Sequence, residues 1–163
     1  FSDVPPHQQA LDIASKYVSQ RERTERQLRD KLAAKDCTPA AINAAVKELR
    51  RYGFIDDARY AKLLAEDKRR LQSWGERRIR MQLVRDGIER ELIDALFADD
   101  EAALAAPSEL EVALGLLARK RPDLADPKVK SRMAGMLARR GIASSTVYAA
   151  LREYERLVRD GEA

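Results

Sequence analysis

The sequence predicts an all-α protein made of three tandem three-helix repeats with helix-turn-helix-like topology, and two observations carry that prediction. Five apolar positions separated by 4, 5, 5 and 4 residues occur three times, at intervals of roughly fifty residues, which is typical of a helical array. The composition also favours helix, because Lys, Arg, Glu, Ala and Leu lose little conformational freedom there, whereas three Phe and seven Gly offer little for a large sheet. The repeated positions are Leu28, Leu32, Cys37, Ile42 and Val46, then Ile79, Leu83, Ile88, Ile93 and Phe97, then Met133, Leu137, Ile142, Val147 and Leu151.

The first predicted repeat spans 10–55 and follows a lead-in segment at 1–9. Apolar residues at helical spacing over 10–18 predict its first helix. Thr24 and Gln27 have the spacing of a capping box for the second helix. Thr38 is predicted to be the N-cap of the third, because a proline follows it at the first helical position.

The second predicted repeat spans 56–100 and opens at two acidic residues, Asp56 and Asp57. We expect Asp56 to be an N-cap and Asp57 to compensate the helix dipole, rather than a catalytic pair. Ser73 with Glu76 predicts a second capping box. The third repeat, with an acidic connection before it, is assigned to 101–163.

A turn precedes the last helix of each repeat, and its residue is expected to take the left-handed conformation. Gly87 and Gly141 fill this position in the second and third repeats. Asp36 replaces them in the first, and Asp enters this region at a modest cost. The turn is therefore expected in all three repeats, with the first slightly less stable.

Composition and motifs exclude most catalytic and membrane functions. His7 is the only histidine, so general-base chemistry and a metal site lack support. No phosphate loop, nucleotide fingerprint or Ser/His/Asp arrangement is present, and Cys37 occupies a core position rather than that of a nucleophile. We expect no enzyme activity, no cofactor and no metal.

The bulk properties also indicate the cellular setting. The chain has 163 residues, 36% of them charged, and a net charge of +4, which permits a nucleic-acid partner without requiring one. No apolar run approaches the ~18 residues that span a bilayer, and a single cysteine excludes an internal disulfide. We expect a cytoplasmic monomer with no membrane partner. Because the chain begins at Phe1 rather than Met, we also expect some N-terminal sequence to be missing.

Three-helix units of this kind also build helix-turn-helix DNA-binding proteins, whose last helix enters the major groove. Here the last helix of the second repeat carries Glu89, Arg90, Glu91 and Asp94, a poor set for base and phosphate contacts. The charges of the third repeat's last helix cancel. A sequence-specific repressor is therefore not expected.

Positive charge is instead concentrated in bands elsewhere, from Lys16 to Lys35, from Lys68 to Arg90 and from Arg119 to Arg140, with an acidic band from Asp94 to Glu111. The basic bands are suited to non-specific phosphate contacts, and the acidic band to a basic protein surface. The candidate contacts are Arg21, Arg23, Arg26, Lys68, Arg69, Arg70, Arg77, Arg78, Arg80, Arg85, Arg139 and Arg140.

Aromatic residues lie close to these bands. Trp74 is expected to pack against its own repeat rather than stack on a base. Tyr52, Phe54 and Tyr60 surround the connection between the first two repeats. We expect these three side chains to pack at an interface.

The segment Gly53-Phe54-Ile55-Asp56-Asp57, followed by Tyr60 and Ala61, resembles the connection between the first two units of RecX proteins, the bacterial modulators of the RecA recombinase. Glu76 to Ile88 is similar to the middle unit of that family, and Arg26-Gln27-Leu28 through Lys35 to its first unit. The resemblance covers roughly Ala10 to Tyr154. The third repeat matches mainly in its apolar register.

The resemblance implies an elongated, curved array of three three-helix repeats without enzyme activity. It implies binding to the RecA filament on single-stranded DNA, weak non-specific DNA binding, and inhibition of ATP hydrolysis, strand exchange and the SOS co-protease activity of RecA. On this hypothesis the acidic band faces RecA, while Arg69, Arg70, Arg77 and Arg78 approach DNA or an acidic RecA surface.

Two other classes of function stay open from the residues. A non-specific DNA-binding helical protein that acts without RecA predicts tight, salt-dependent binding to naked DNA. An adaptor that binds only protein predicts no affinity for DNA. An enzyme has the least support, because the sequence shows no cluster of catalytic polar residues.

Overall fold

The computed structural model describes residues 4–98 and 106–162, and within these ranges it contains nine α-helices and no strand. This confirms the prediction of an all-α helical repeat. No helix in the described ranges is both long and apolar enough to cross a membrane. The helices are α1 (Pro6–Gln20), α2 (Glu25–Ala34), α3 (Pro39–Arg51), α4 (Asp57–Gln72), α5 (Glu76–Asp86), α6 (Arg90–Ala98), α7 (Glu109–Lys120), α8 (Pro127–Arg139) and α9 (Ser144–Arg159).

Helix α1 begins earlier than the sequence predicted, within the segment assigned as a lead-in. Pro6 is its first residue, and Pro5 precedes it with φ −57° and ψ 148°. Proline suits this position because its fixed φ is already helical and its missing N–H would have no partner there. Helix α1 therefore includes residues 6–9 of the predicted lead-in.

The chain forms two compact units. The first unit holds the residues up to Ala61 together with Leu83–Asp94, and the second holds Lys62–Gln82 together with the residues from Ala95 onward. Helices α4, α5 and α6 each contribute residues to both units. The predicted boundaries after residues 9, 55 and 100 describe sequence repeats, and they stay a prediction.

The core of the first unit forms where α1 packs against both α2 and α3. Ala10 and Ala14 are fully buried on α1, and their small side chains let the neighbouring backbones approach. The repeated positions of α2 and α3 supply the larger apolar side chains. The buried set is Ala10, Ala14, Leu28, Leu32, Ala41, Ile42, Ala45, Val46, Leu49 and Ile55.

The core of the second unit forms where α9 packs against α7 and α8. Its largest fully buried side chains include Leu117, Leu137 and Leu151. Burial of a leucine contributes about 1.5–3 kcal/mol to the free energy of unfolding. These residues therefore stabilise the packing of α7, α8 and α9, which form one trio of helices. The buried set is Val112, Ala113, Leu116, Leu117, Leu124, Leu137, Ile142, Val147, Ala150, Leu151 and Tyr154.

The repeated apolar register is confirmed by burial. All of its positions are buried except Cys37, Phe97 and Met133, which are half-buried. Cys37 is a free thiol. Its position in the register matches a core role.

The turn before the last helix of each trio has the same backbone in all three. Asp36, Gly87 and Gly141 have φ values of 62°, 92° and 84°, as the sequence predicted. The next residue donates its N–H to the carbonyl of the residue five positions earlier in each case, as in Cys37 to Leu32 at 3.1 Å. Asp36 therefore supports the turn without glycine.

Side-chain caps fix the starts of several helices. Thr24 and Gln27 form the predicted capping box at α2, and Ser108 accepts from the N–H of Glu111 at α7. Thr38 precedes α3 and accepts from the N–H of Ala41 at 3.2 Å. Asp56 precedes α4 and accepts from the N–H of Arg59 at 3.1 Å. Each of these bonds supplies a partner for an otherwise unpaired helix N–H group.

Candidate functional site

In the first unit, the N-terminus of α2 lies against the turn between α5 and α6, and we call this contact the first junction. The buried Thr24 hydroxyl donates to the Asp86 carbonyl at 2.5 Å. The Arg26 guanidinium donates to the carbonyls of Arg85 and Val84. A Cβ on Gly87 would lie 2.5 Å from the Cβ of Arg26. The predicted phosphate contact Arg26 is therefore bound to carbonyls of its own chain.

In the second unit, the N-terminus of α5 lies against the turn between α8 and α9, and we call this contact the second junction. The Gly75 N–H donates to the Arg140 carbonyl at 2.7 Å, and the Arg77 N–H donates to the Gly141 carbonyl at 3.0 Å. A Cβ on Gly75 would lie 2.5 Å from the Gly141 oxygen. Only glycine permits this approach of two backbones.

An acidic side chain also caps the docked helix at each junction. The Glu25 N–H of α2 donates to Asp57 Oδ1 at 2.9 Å. Glu109 accepts from the N–H of Glu76 at 3.1 Å through Oε2, and from the N–H of Ala143 at 2.6 Å through Oε1. A carboxylate suits a helix N-terminus, where N–H groups lack partners and the helix dipole is positive.

The carboxyl of Asp57 has a pKa raised above its usual value. Burial is the largest cause, the positive charge of Arg50 opposes it, and the negative charges of Asp56 and Glu89 add to it. Asp57 is therefore a desolvated capping group with acidic neighbours. Capping of α2 therefore accounts for an acidic residue at position 57, as the sequence predicted for a structural rather than a catalytic aspartate.

An ion pair recurs one turn into each docked helix. Arg29 Nε lies 3.1 Å from Glu25 Oε2 on α2, and Arg80 Nε lies 3.1 Å from Glu76 Oε2 on α5. Arg50 also pairs with Glu25. The candidate contact Arg80 is thus paired with an acid of its own helix.

The predicted capping box of Ser73 and Glu76 is wrong. Helix α5 begins at Glu76, so Gly75 and not Ser73 is the residue before it. Ser73 takes a left-handed conformation with φ 56°. The Glu76 N–H is satisfied instead by Glu109, a residue distant in sequence.

Several predicted cations remain exposed. In the described part of the chain, these side chains have no carboxylate, carbonyl or aromatic partner, so their charge is available to a ligand. They are Arg70, Arg77, Arg85 and Arg139. Arg21 is also exposed, and its charge acts on the Tyr60 hydroxyl.

Other predicted cations lie over aromatic rings or bind carbonyls. Arg78 Cζ and Lys68 Nζ lie 4.3 and 4.8 Å from the centroid of the Trp74 ring. Arg140 donates to the Gln72 carbonyl at 2.6 Å. In the first unit, Arg23 Cζ lies 3.9 Å from the centroid of the Tyr17 ring. Cation–π contacts of this kind hold the charged groups in place.

Trp74 is 9% exposed, so it packs within its own unit as the sequence predicted. The indole supports two cations beside the second junction. A base has no exposed face of this ring on which to stack.

Arg69 does not belong to the exposed set, and its prediction as a filament or DNA contact is wrong. Its side chain is 5% exposed, and its Nε has no hydrogen-bond partner in the described structure. Ala61, Ala65 and Arg69 lie four residues apart on α4 and are all buried. Leu71, near the end of α4, is 75% exposed.

Two aromatic residues predicted to pack at an interface are instead exposed. Tyr52 and Phe54 expose 61% and 58% of their surface, so that prediction is wrong for both. Tyr60 is half-buried, and its hydroxyl donates to Asp86 Oδ2 at 2.6 Å. Burial and this bond to a carboxylate raise the pKa of Tyr60 to about 12.

A groove of about 350 Å³ lies between α1 and α2. Lys16, Lys31 and Lys35 belong to the first basic band but are not among the predicted contacts. Their four-residue spacing could have indicated them, since Lys31 lies in the last turn of α2 and Lys35 caps the end of that helix. The lining residues are Ile13, Lys16, Tyr17, Gln20, Lys31 and Lys35.

The acidic band is only partly available to a partner. Asp94 lies 3.7 Å from Arg90, and Glu109 caps α5. Asp99, Asp100 and Glu101 lie outside the described residues. Within those that are described, no group of three or more His, Cys, Asp and Glu side chains is placed to hold a metal ion.

The trios and their junctions define a class of protein, the all-α helical repeat with a polar contact at each junction. Two family models match the chain in tandem. The model described as the first three-helix domain of RecX matches residues 10–49, and the second three-helix domain of RecX matches 56–96. This chain belongs to the RecX family.

Curated relatives agree with this assignment. A regulatory protein RecX of Clostridium beijerinckii is 33% identical over 109 residues, which cover 67% of this chain and 48% of that protein. A regulatory protein RecX of Mycobacterium sp. (strain JLS) is 29% identical over 147 residues, covering 88% of this chain and 80% of the relative. The match thus spans about half the length of the first relative and most of the second.

Solved structures agree with the fold. A RecX crystal structure from Lactobacillus salivarius superposes with a TM-score of 0.79 at 20% identity, covering 92% of this chain and 97% of that one. A crystal structure of a regulatory protein RecX gives a TM-score of 0.73 at 24% identity, covering 91% and 73%.

Proposed function

We propose that this chain binds the RecA filament on single-stranded DNA and inhibits ATP hydrolysis, strand exchange and SOS co-protease activity. The tandem match to both RecX three-helix domains carries this proposal. We also propose that the protein acts as a cytoplasmic monomer without cofactor or catalytic activity.

The charge distribution favours contacts with phosphate that do not depend on sequence. In the second unit, Arg70, Arg77 and Arg139 are exposed and carry charge that is free for a ligand. Such contacts position a protein on nucleic acid but do not read bases.

Two of the helices that would enter a major groove in a helix-turn-helix protein, α6 and α9, each carry an arginine that pairs with an acid of the same helix. On α9, Arg156 pairs with Glu153 at 2.8 Å and with Asp160 at 2.9 Å. On α6, Arg90 lies near Asp94. Base readout needs donors free to reach base edges, so this arrangement supports a filament regulator over a sequence-specific repressor.

The decisive experiment titrates this protein into the single-stranded-DNA-dependent ATPase reaction of RecA, with anisotropy of the same DNA without RecA measured in the same buffer. We expect inhibition at fewer than one molecule per RecA subunit, at concentrations where naked DNA stays free. Absence of inhibition, or inhibition only after the DNA is saturated, would contradict a filament-directed regulator.

A charge reversal tests the exposed cations in the same assay. Arg77→Glu is the informative variant, because its backbone forms the second junction while its side chain is exposed. We expect weaker filament binding and a salt dependence reduced by about 0.7–1 in log–log slope. Arg152→Glu, an equal charge change at an exposed position of α9, is the control. Equal effects of both substitutions would remove Arg77 from the contact surface.

A second function is favoured by the lysine-lined groove between α1 and α2. The chain would then be a non-specific DNA-binding protein that acts without RecA. This alternative predicts a steep salt dependence on naked DNA and no inhibition of RecA below saturation of the DNA.

A further inference from the structure

We propose that the groove between α1 and α2 binds successive phosphates of single-stranded nucleic acid. The inference rests on the proposed function and names one place where the strand is held. The groove has a volume of about 350 Å³, and lysines from both helices line it.

The charge of this groove is uncompensated. Lys16, Lys31 and Lys35 have no carboxylate partner in the described part of the chain, and no acid lines the groove. Converging ammonium groups raise the local positive potential, which attracts an anion. A cavity of about 340 Å³ beside α9 differs, because Asp123, Glu155 and Arg159 give it both signs of charge.

The aromatic residue in the groove indicates how the ligand is bound. Arg23 Cζ lies 3.9 Å and Lys31 Nζ 5.4 Å from the centroid of the Tyr17 ring. Cations therefore occupy the position that a stacked base would need. The groove is suited to charge recognition of phosphate, without preference for a base.

The spread of the lysines favours a strand over a single small anion. Lys31 lies in the last turn of α2, Lys35 is the C-cap residue that follows this helix, and Lys16 lines the groove from α1. A row of point charges on two helices matches a ligand with several phosphates in succession. The occupant we assign is therefore the sugar–phosphate backbone of an extended strand.

The test compares two triple variants of the full chain. Lys16→Gln, Lys31→Gln and Lys35→Gln remove the charges of the groove. Lys47→Gln, Lys62→Gln and Lys128→Gln remove the same charge from exposed positions outside it. Binding of a short fluorescein-labelled oligothymidylate is followed by anisotropy over a range of salt concentrations.

We expect the groove variant to lower the log–log salt slope by about 2, since each lost phosphate contact on a single strand contributes about 0.7. The control variant should keep most of the wild-type slope. Equal slopes for the two triple variants would overturn the proposal. If the groove triple variant does not fold by circular dichroism, Lys16→Gln with Lys35→Gln leaves Lys31 on Tyr17 and should lower the slope by about 1.4.

Competition separates a strand from a small phosphate ligand. Sodium tripolyphosphate should displace the oligothymidylate from the wild-type protein only at concentrations far above those of the oligothymidylate. Tight tripolyphosphate binding that needs the groove lysines, with oligothymidylate binding unchanged by their loss, would reject the strand as occupant.

The RecA ATPase assay on the same proteins keeps the two proposals distinct. Inhibition of RecA by the wild type, with an unchanged salt slope in the groove variant, would reject the groove and leave the proposed function standing. Absence of inhibition, with the slope lowered as expected, would reject the RecA role and leave the groove as a nucleic-acid site.

Discussion

The first junction is held by the side chains of Thr24 and Arg26, whereas the second is held by the backbone of Gly75 and Arg77. Thr24 and Gly75 occupy equivalent positions, each four residues before the first repeated apolar residue of its trio. The same docking of a helix start against a turn is therefore achieved with different chemistry. The side-chain contact tolerates a residue with a Cβ, and the backbone contact excludes one.

The acidic side chains that cap the docked helices also differ between the two junctions. Glu109 joins two N–H groups from separate elements, Glu76 and Ala143, while the contact of Asp57 with a docked helix is its bond to Glu25. At the second junction a single side chain therefore binds more backbone N–H groups than its counterpart does at the first. We expect it to be the more sensitive of the two to single substitutions.

Gly75→Ala should have the largest effect on stability. Its Cβ would lie 2.5 Å from the Gly141 carbonyl oxygen, and backbone on both sides leaves little room to adjust. We expect the free energy of unfolding to fall by roughly 2–3 kcal/mol, from overpacking and the weakened backbone bonds. Urea denaturation followed by the fluorescence of Trp74, which lies in the same unit, measures this loss.

Gly115→Ala is the matched control for that substitution. A Cβ there meets nothing within 4 Å, and the residue lies inside α7. Alanine should therefore be neutral or raise the free energy of unfolding by about 0.5–1 kcal/mol. A similar loss at both glycines would show that the second junction is not a close backbone contact.

Glu109→Ala should have the next largest effect. It leaves two N–H groups without their carboxylate, and we expect a loss of about 1–3 kcal/mol. Asp57→Ala removes the equivalent acid from the first junction and should lower the free energy of unfolding by less than Glu109→Ala does. One hydrogen bond to the docked helix is lost, and removal of a partly desolvated charge offsets part of that loss. Urea denaturation of both variants orders them, and a larger loss for Asp57→Ala would reverse the comparison.

The sequence predicted the fold but not these junctions, for a physical reason. The apolar register recurs along the chain and depends on local spacing, so Leu28, Ile79 and Leu137 were all placed in the core. The junction bonds join residues about 30–70 positions apart, such as Glu76 with Glu109, and local propensity carries no such information.

The wrong predictions for Ser73 and Arg69 have the same cause. Each followed a local sequence pattern instead of the spacing that relates equivalent positions of the helices. Thr24 precedes Leu28 by four residues, and the same offset from Ile79 gives Gly75 rather than Ser73. Along α4, the four-residue spacing from Ala61 and Ala65 gives Arg69. Charge bands identify where cations are abundant, but burial and bonding decide which of them can reach a ligand.

Thr24→Ala tests the side-chain chemistry of the first junction. It removes the N-cap acceptor of α2 and the donor to the Asp86 carbonyl, so we expect a loss of about 1–2 kcal/mol. Thr24→Ser keeps the hydroxyl and should retain most of the stability. Urea denaturation followed by far-UV circular dichroism distinguishes the two, and equal losses would assign the effect to the missing methyl group rather than to the hydrogen bonds.

Tyr60→Phe should have the smallest effect on the free energy of unfolding. It also tests a pH dependence that we expect at the first junction but not at the second. The Tyr60 hydroxyl donates to Asp86 at the first junction, while Val112 occupies the equivalent position of α7 and has no group to titrate. The loss at neutral pH should be about 0.5–1.5 kcal/mol.

The sign of the pH dependence follows from the raised pKa of Tyr60. Burial and the bond to Asp86 raise it to about 12, whereas an unfolded tyrosine has a pKa of about 10. The folded state therefore favours the neutral phenol, and this stabilisation is complete below pH ~10 and disappears as the pH rises towards ~12. The stability difference between wild type and Tyr60→Phe should narrow over that interval, and tyrosinate absorbance should lose its latest-titrating component in the variant. A constant difference across the interval would show that the phenol is not held neutral by the first junction.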